Sequence, residues 1–267
     1  MVTVKARKFQ SGQFQEVDDR LTQEDLLRIS INQQPYTITM RSPGNEQALV
    51  RGILHTENVV NSPNAEMNYS EIEFHDNGSI AHVSLEIPTT WLGEGISQTR
   101  NLMSVTSCGM CGKTDEILLC DAACLQTNIQ WQASAILHQF LQMRQHQTTF
   151  AQSGGSHASA AFNAANEMLS IKEDIGRHNA VDKVIGDLIL QQQLSKAICL
   201  IVSGRISYEI VSKCYRAGIP FLAAVSAPSS LAVSYCEQLG ICLMGFCRED
   251  KLTVYTFPER ITLDVNS

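Results

Sequence analysis

The chain has 267 residues, 44% hydrophobic and 18% charged, enough to bury one large core or two modest ones. Twenty Lys and Arg against 27 Asp and Glu leave a formal net charge of −7, an acidic balance that argues against a general nucleic-acid binder. AICLIV (197–202) is strand-sized, far below the roughly 20 residues of a membrane helix, and MVTVKARKFQ at the N-terminus lacks the apolar centre of a signal peptide, so a cytoplasmic protein without membrane insertion is expected.

In chain order, QPYTITMR (34–41) reads as a strand. SPGNEQALVRGILHTENVV (42–60) reads as a helix, with Pro43 and Asn45 near its start and Leu49, Ile53 and Leu54 on one face. EIEFHDNGSIAHVSLEI (71–87) predicts a hairpin turned at Asn77-Gly78, with Ala81, Val83, Leu85 and Ile87 alternating onto one face. AILHQFLQMRQHQ (135–147) predicts a helix, and the small, polar QSGGSHASAA (152–161) a loop or helix start that contains His157. Ala180, Val181, Val184, Ile185, Leu188 and Ile189 have helical spacing, so a core-facing helix should begin near residue 178.

The second half then changes character. AICLIVSGR (197–205), PFLAAVSAP (220–228) and ICLMGFC (241–247) are short runs, apolar on both faces. Between them lie ISYEIVSKCYRAG and SSLAVSYCEQLG, helical segments ending in Gly218 and Gly240. This alternation predicts parallel strands in a sheet covered on both sides, with LTVYTF (252–257) as a final strand.

Nine cysteines, an odd number without an exported context, suit a reducing compartment. Cys199, Cys214, Cys236 and Cys242 fall on predicted strands or helices and read as core. Cys108 and Cys111 differ. In TSCGMCGKTD (106–115) they form a C-x-x-C with Gly109 and Gly112 beside them and Lys113 close behind. A lysine nearby favours thiolate, and the glycines give an open backbone, which suits a sulfur carrier that must meet a donor and then an acceptor. A thioredoxin-type motif would follow a strand and open a helix early in a βαβ unit, and no such setting is present. With Cys120 and Cys124 the spacing becomes C-x2-C-x8-C-x3-C, a poor fit to the usual structural-zinc spacings. His55-Thr56-Glu57 followed by the C-x-x-C echoes zinc nucleobase deaminases, but no proline precedes Cys108. No tightly bound metal is expected.

In a βα sheet, ligands sit beyond the carboxyl ends of the strands. Those ends are Ser203-Gly204-Arg205, Ser226-Ala227-Pro228-Ser229-Ser230, and Cys247-Arg248-Glu249-Asp250-Lys251. Hydroxyls, backbone N–H groups and cations at one edge suit a phosphate or a nucleotide, although Ser229 and Ser230 would equally serve as helix caps. KEDIGRHNAVDKVIG (172–186) gathers Glu173, Asp174, Gly176, Arg177 and His178 at a helix start, either as a site or as a capped, solvated turn.

Taken together, SCGMCG (107–112), EDIGRHNAVDKVIG (173–186), VSGRISYEIVSK (202–213), AVSAPSSLA (224–232) and GFCREDKLTVYTFPER (245–260) resemble the formate dehydrogenase accessory sulfurtransferases, the FdhD family. SGGSHASAA (153–161) and residues 35–57 are similar more loosely, so the likeness spans nearly the whole chain in the family's order; EDIGRHNAVDK is its most specific part. The resemblance implies an α/β protein: a cytidine-deaminase-like α/β/α domain over 101–267, carrying the C-x-x-C loop and the cofactor site, joined to a smaller N-terminal α+β domain over 1–100, with two copies in a homodimer. It implies a sulfurtransferase that takes persulfide sulfur from a cysteine desulfurase onto Cys108, assisted by Cys111. The sulfur would pass to the molybdenum of Mo-bis(molybdopterin guanine dinucleotide), the cofactor that formate dehydrogenase requires. The family's guanine-dinucleotide segment lands on Phe246, Cys247, Arg248, Glu249, Asp250 and Lys251. Ser203, Arg205 and Ser226 are expected to join Arg248 and Lys251 as a cradle for the guanine-nucleotide ends, and Arg177 and His178 to contact the cofactor or support Cys108. Glu57 matches the family's own helix, whereas His55 looks incidental. Gly155-Ser156-His157 lacks the cysteine that some members carry there, so no relay through a third cysteine in that loop is expected. The competing readings are a non-catalytic molybdenum-cofactor insertion chaperone and a zinc hydrolase of the deaminase class.

Overall fold

A computed structural model describes residues 1–60, 62–97 and 123–263. The chain opens with an antiparallel hairpin of β1 (Val2–Gln10) and β2 (Gln13–Leu21), turned at Ser11 and Gly12, both with positive φ. The hairpin is largely exposed and has no counterpart among the sequence expectations. β3 (Asp25–Ile31) and β4 (Gln34–Arg41) follow, then α1 (Glu46–Thr56), β5 (Asn68–Phe74) and β6 (Ile80–Glu86). These strands form a four-stranded sheet in the order β4-β3-β6-β5, with β3 and β6 parallel. The predicted hairpin is β5–β6; Ala81, Val83, Leu85 and Ile87 are all buried, as alternation required. The predicted helix 42–60 stops at Thr56, because Asn58 takes a left-handed φ of 58°. Val59 and Val60 still enter the same core, so their apolarity reflected burial rather than helix.

The second half begins with β7 (Trp131–Gln132), α2 (Ala133–His146) and α3 (Thr148–Ser153). Next come β8 (His157–Phe162), β9 (Met168–Asp174), α4 (Arg177–Leu190), β10 (Cys199–Val202), α5 (Tyr208–Arg216) and β11 (Phe221–Ala224). The last elements are α6 (Ser230–Leu239), β12 (Cys242–Arg248), β13 (Lys251–Val254) and β14 (Ile261–Thr262). Six of these strands form one mixed sheet, ordered β13-β12-β11-β10-β8-β9. β10, β11 and β12 run parallel, as their two-faced apolar runs predicted, while β8 and β13 pair antiparallel at their flanks. The final strand is shorter than LTVYTF suggested, ending at Val254.

Residues 157–161 are a correction: the expected loop is most of β8. Ala158, Ala160 and Ala161 are buried between β10 and β9. Alanine and serine carry little strand preference of their own, so packing decides.

Alternate residues of the parallel strands enter two cores. Leu200, Val202, Leu222 and Ala224 pack with α4, α5 and α6, and Cys199, Ile201, Phe221 and Ala223 pack with α2, giving three α/β/α layers. The four cysteines expected in the core are fully buried. Gly218 and Gly240 take left-handed φ angles of 71° and 75° at the ends of α5 and α6.

The two sheets are joined through α1 on α4. Gly52 meets the backbone of Asp182, and Gly186 meets the carbonyl of Ala48. A Cβ at either glycine would fall on main chain, which explains why mid-helix glycine, normally unfavourable by about 1 kcal/mol, stands at both places. No helix among the described residues is long and apolar enough to cross a membrane.

Candidate functional site

The carboxyl ends of β10, β11 and β12 meet the start of the antiparallel β8, and a cavity of about 560 Å³ opens there on the α2 side of the sheet. Its floor is Ser203, Val225 and Cys247, each at the end of one parallel strand. α2 supplies one wall. Leu137, Phe140, Leu141 and Arg144 recur at helical spacing, so one face of the helix lines the cavity with three apolar side chains and a guanidinium. Gly154, Gly155, Ser156 and His157 form another side, and Arg248 and Glu249 the rim.

Local hydrogen bonds fix these groups. Glu173 accepts from the Thr149 and Phe150 amides at 2.8 Å and from Ser156 Oγ at 2.7 Å, so one carboxylate anchors both α3 and the glycine loop. Ser203 Oγ accepts from the Ala158 amide at 2.9 Å and lies 3.5 Å from His157 Nδ1. Burial, reinforced by the nearby Arg177 charge, holds the His157 imidazole below its ordinary pKa, so the ring is neutral at pH 7. Burial pushes the Cys247 thiol up to about 12, so it lines the cavity as a thiol, not a thiolate. The Phe246 amide donates to the Ser226 carbonyl at 3.2 Å and ties the β11 and β12 ends together, with Phe246 in left-handed backbone at φ 54°. The Arg144 guanidinium stands 4.6 Å from the Phe150 ring centroid.

Four of the residues singled out for cofactor contact therefore share the cavity wall: Ser203, Cys247, Arg248 and Glu249. Ser226, Phe246, Asp250 and Lys251 flank it, Asp250 in the β12–β13 turn and Lys251 at the start of β13, and Arg205 is exposed outside it. Arg177 and His178 stand at the start of α4. His178 Nε2 lies 3.5 Å from Ser207 Oγ and 4.0 Å from the Glu209 carboxylate. A Cβ on Gly204 would come within 3.4 Å of His157 Nδ1 and 3.5 Å of Arg177 Cβ, so only that bare backbone separates Arg177 from the cavity's histidine. Ser229 caps α6, its Oγ accepting from the Ala232 amide at 3.1 Å. Cys108 and Cys111 lie outside the described residues.

The polar density of EDIGRHNAVDK has an interior use. Lys183 Nζ sits 2.7 Å from Asp174 Oδ2, both side chains buried, and donates to the Ser42 carbonyl at 2.8 Å. Asp174 also accepts from the Ser42, Gly176 and Asn179 N–H groups, and Asn179 donates to the Met40 carbonyl. These contacts bind the end of β4 to α4. The H-x-E residues are likewise occupied: His55 Nε2 bonds the Arg216 carbonyl, and Glu57 accepts from the Tyr36 hydroxyl. Among the described residues, the side chains grouped closely enough for a metal are Glu71, Glu73 and His82, exposed to partly exposed, on β5 and β6. Arg144, Ser156 and His157 were not anticipated at the site. The helical spacing of Leu137, Phe140, Leu141 and Arg144 was the available signal for the first.

The FdhD/NarQ family model matches residues 22–262, which include both sheets and every wall of the cavity. The chain belongs to the FdhD/NarQ family. Within it, the sulfur carrier protein FdhD of Sulfolobus acidocaldarius is 38% identical over 261 residues, 97% of this chain and 98% of that protein. The FdhD sulfur carrier of Mycolicibacterium paratuberculosis is 40% identical over 257 residues, covering 91% and 92%. The crystal structure of a protein assigned as a formate dehydrogenase accessory protein, from Desulfotalea psychrophila, superposes with a TM-score of 0.75 at 22% identity, over 98% of this chain and 99% of that one, and shares its fold.

Proposed function

We propose that this protein carries sulfur as a persulfide on Cys108 and delivers it to the molybdenum of Mo-bis(molybdopterin guanine dinucleotide) for use by formate dehydrogenase. The observation that carries this reading is the near-full-length identity of 38–40% to sulfur carrier proteins of the family. In the loading step, the Cys108 thiolate attacks the outer sulfur of a cysteine desulfurase's persulfide. A new S–S bond forms to Cys108, the donor's S–S bond breaks, and the desulfurase cysteine leaves as thiolate. Cys111 assists at the same loop.

The cavity supports the second half of the reading. An apolar helix wall, two guanidiniums and a few neutral hydrogen-bonding groups suit a nucleotide end of the cofactor, which is here the substrate. Ser203, Arg248 and Glu249 hold that end, with Arg177 and His178 behind the Gly204 backbone as support. The three α/β/α layers favour a cytidine-deaminase-like domain carrying this site, joined to an N-terminal domain built on the four-stranded sheet. The protein works as a homodimer in the cytoplasm, where its buried, unpaired thiols suit a reducing compartment.

The test is intact mass after incubation with a cysteine desulfurase and cysteine, with and without reductant. Wild type should gain one or more sulfur atoms, released by reductant and absent in Cys108→Ala. A desulfurase that turns over while wild type gains nothing would leave a cofactor-insertion chaperone as the function.

A further inference from the structure

We propose that Arg144 is the residue that makes this cavity select its ligand by the charge of a phosphate end. The inference rests on the nucleotide reading of the cavity and adds a specificity determinant on α2.

Three observations carry it. First, Arg144 faces the cavity, yet among the described residues its side chain has neither a hydrogen bond nor a carboxylate partner. Arg144 is exposed as a residue, but its guanidinium stands at the edge of the apolar wall against the Phe150 ring, where a ligand entering the cavity can supply the missing anion. Second, the guanidinium is already oriented by Phe150, 4.6 Å away, so less side-chain freedom is lost when it binds. Third, the charges in the lining do not cancel: Arg144 and Arg248 face one carboxylate, Glu249, and His157 is neutral. A phosphate restores the balance. The axial distance from Leu137 to Arg144 is about 10 Å, comparable with the reach of a nucleotide from base to phosphate, so the base lies on the Leu137–Phe140–Leu141 stripe.

A purely structural role for Arg144 is its place in the last turn of α2, where a cation offsets the helix dipole. The two roles predict different results. The experiment is isothermal titration of the full chain with guanosine, GMP and GDP, with melting temperatures measured alongside. Wild type should bind GDP roughly ten- to a hundredfold more tightly than guanosine, the range of charge-assisted hydrogen bonds. Arg144→Ala should remove most of that preference while guanosine affinity stays within about twofold, and Arg144→Lys, with a point charge and no fork, should retain part of it. Preference for GDP that survives in Arg144→Ala overturns the assignment to Arg144 alone. So does an equal loss for all three ligands together with a lower melting temperature, which is the helix-dipole outcome. Wild type that binds no guanine ligand overturns the nucleotide reading itself.

Discussion

Lys213 Nζ lies 2.7 Å and 2.8 Å from the two carboxylate oxygens of Asp182, with both side chains largely buried. Thr56 Oγ1 completes the group, 2.7 Å from Asp182 and 3.0 Å from Lys213, and Glu57 stands 3.8 Å from the lysine. One ion pair thus joins α4 to α5 under the end of α1, linking the two sheets through charge as well as packing. Burying charge is costly unless it is paired, so breaking such a pair costs more than the pair itself contributes. Lys213→Met should lower the unfolding free energy by about 3–5 kcal/mol in urea titrations. Adding Asp182→Leu to that variant should recover part of the loss. A single variant within about 1 kcal/mol of wild type would mean that Asp182 finds other compensation.

Gly52 and Gly186 allow α1 and α4 to approach at backbone distance. Because the obstacle to a side chain is main chain on the facing helix, it cannot rotate aside. Gly52→Ala should therefore destabilise by at least about 2 kcal/mol, at the upper end of overpacking costs, despite alanine's better helix propensity. Gly218→Ala is the control. Its left-handed φ of 71° faces open space, so its cost should be backbone strain of about 1 kcal/mol. Equal losses in the two variants would argue against close helix contact as the cause.

What the sequence made legible follows from how each element is stabilised. The β5–β6 hairpin has a period of two because one face is buried, and β10–β12 are apolar throughout because two faces are buried. Both patterns are local. β8 gives no such signal, since alanines are buried on both of its faces, Ala161 in the core of α4–α6 and Ala158 and Ala160 in the core beneath α2. EDIGRHNAVDK stood out as polar density at a helix start, but sequence cannot separate groups facing a cavity from groups tying the interior. Asp174 and Lys183 find Ser42 more than 130 positions away. α2 was legible as a helix, while its service as a cavity wall depended on where β12 and the glycine loop ended.

His157 makes stability depend on pH in a predictable sense. Burial and Arg177 depress its folded-state pKa below the unfolded value of 6.5, so at mildly acidic pH the unfolded chain binds more protons. Stability is present above pH 6.5 and is lost as pH falls through 6.5 towards the depressed folded value. His55 shifts in the same direction, chiefly through burial, and adds to the loss. Urea titrations at pH 7.5, 6.5 and 5.5 should show declining stability, and His157→Gln should decline less steeply. Parallel profiles for the two proteins would mean that His157 is protonated as easily folded as unfolded.

Arg248 and Arg205 both follow parallel strands, but only Arg248 lines the cavity; Arg205 is exposed beyond it. The sequence treats them alike, as cations at a sheet edge, whereas the structure gives them different surroundings. Both side chains are exposed, so the difference is one of place: Arg248 stands where a phosphate in the cavity can meet it with a charge-assisted hydrogen bond, and Arg205 does not. In titrations with GDP at physiological ionic strength, Arg248→Ala should weaken binding roughly two- to fivefold and Arg205→Ala by less than about twofold. Because Arg248 is exposed as well, its contribution should shrink as salt rises. A larger loss at Arg205 than at Arg248 would move the nucleotide to the α4–α5 side of Gly204, next to Arg177 and His178.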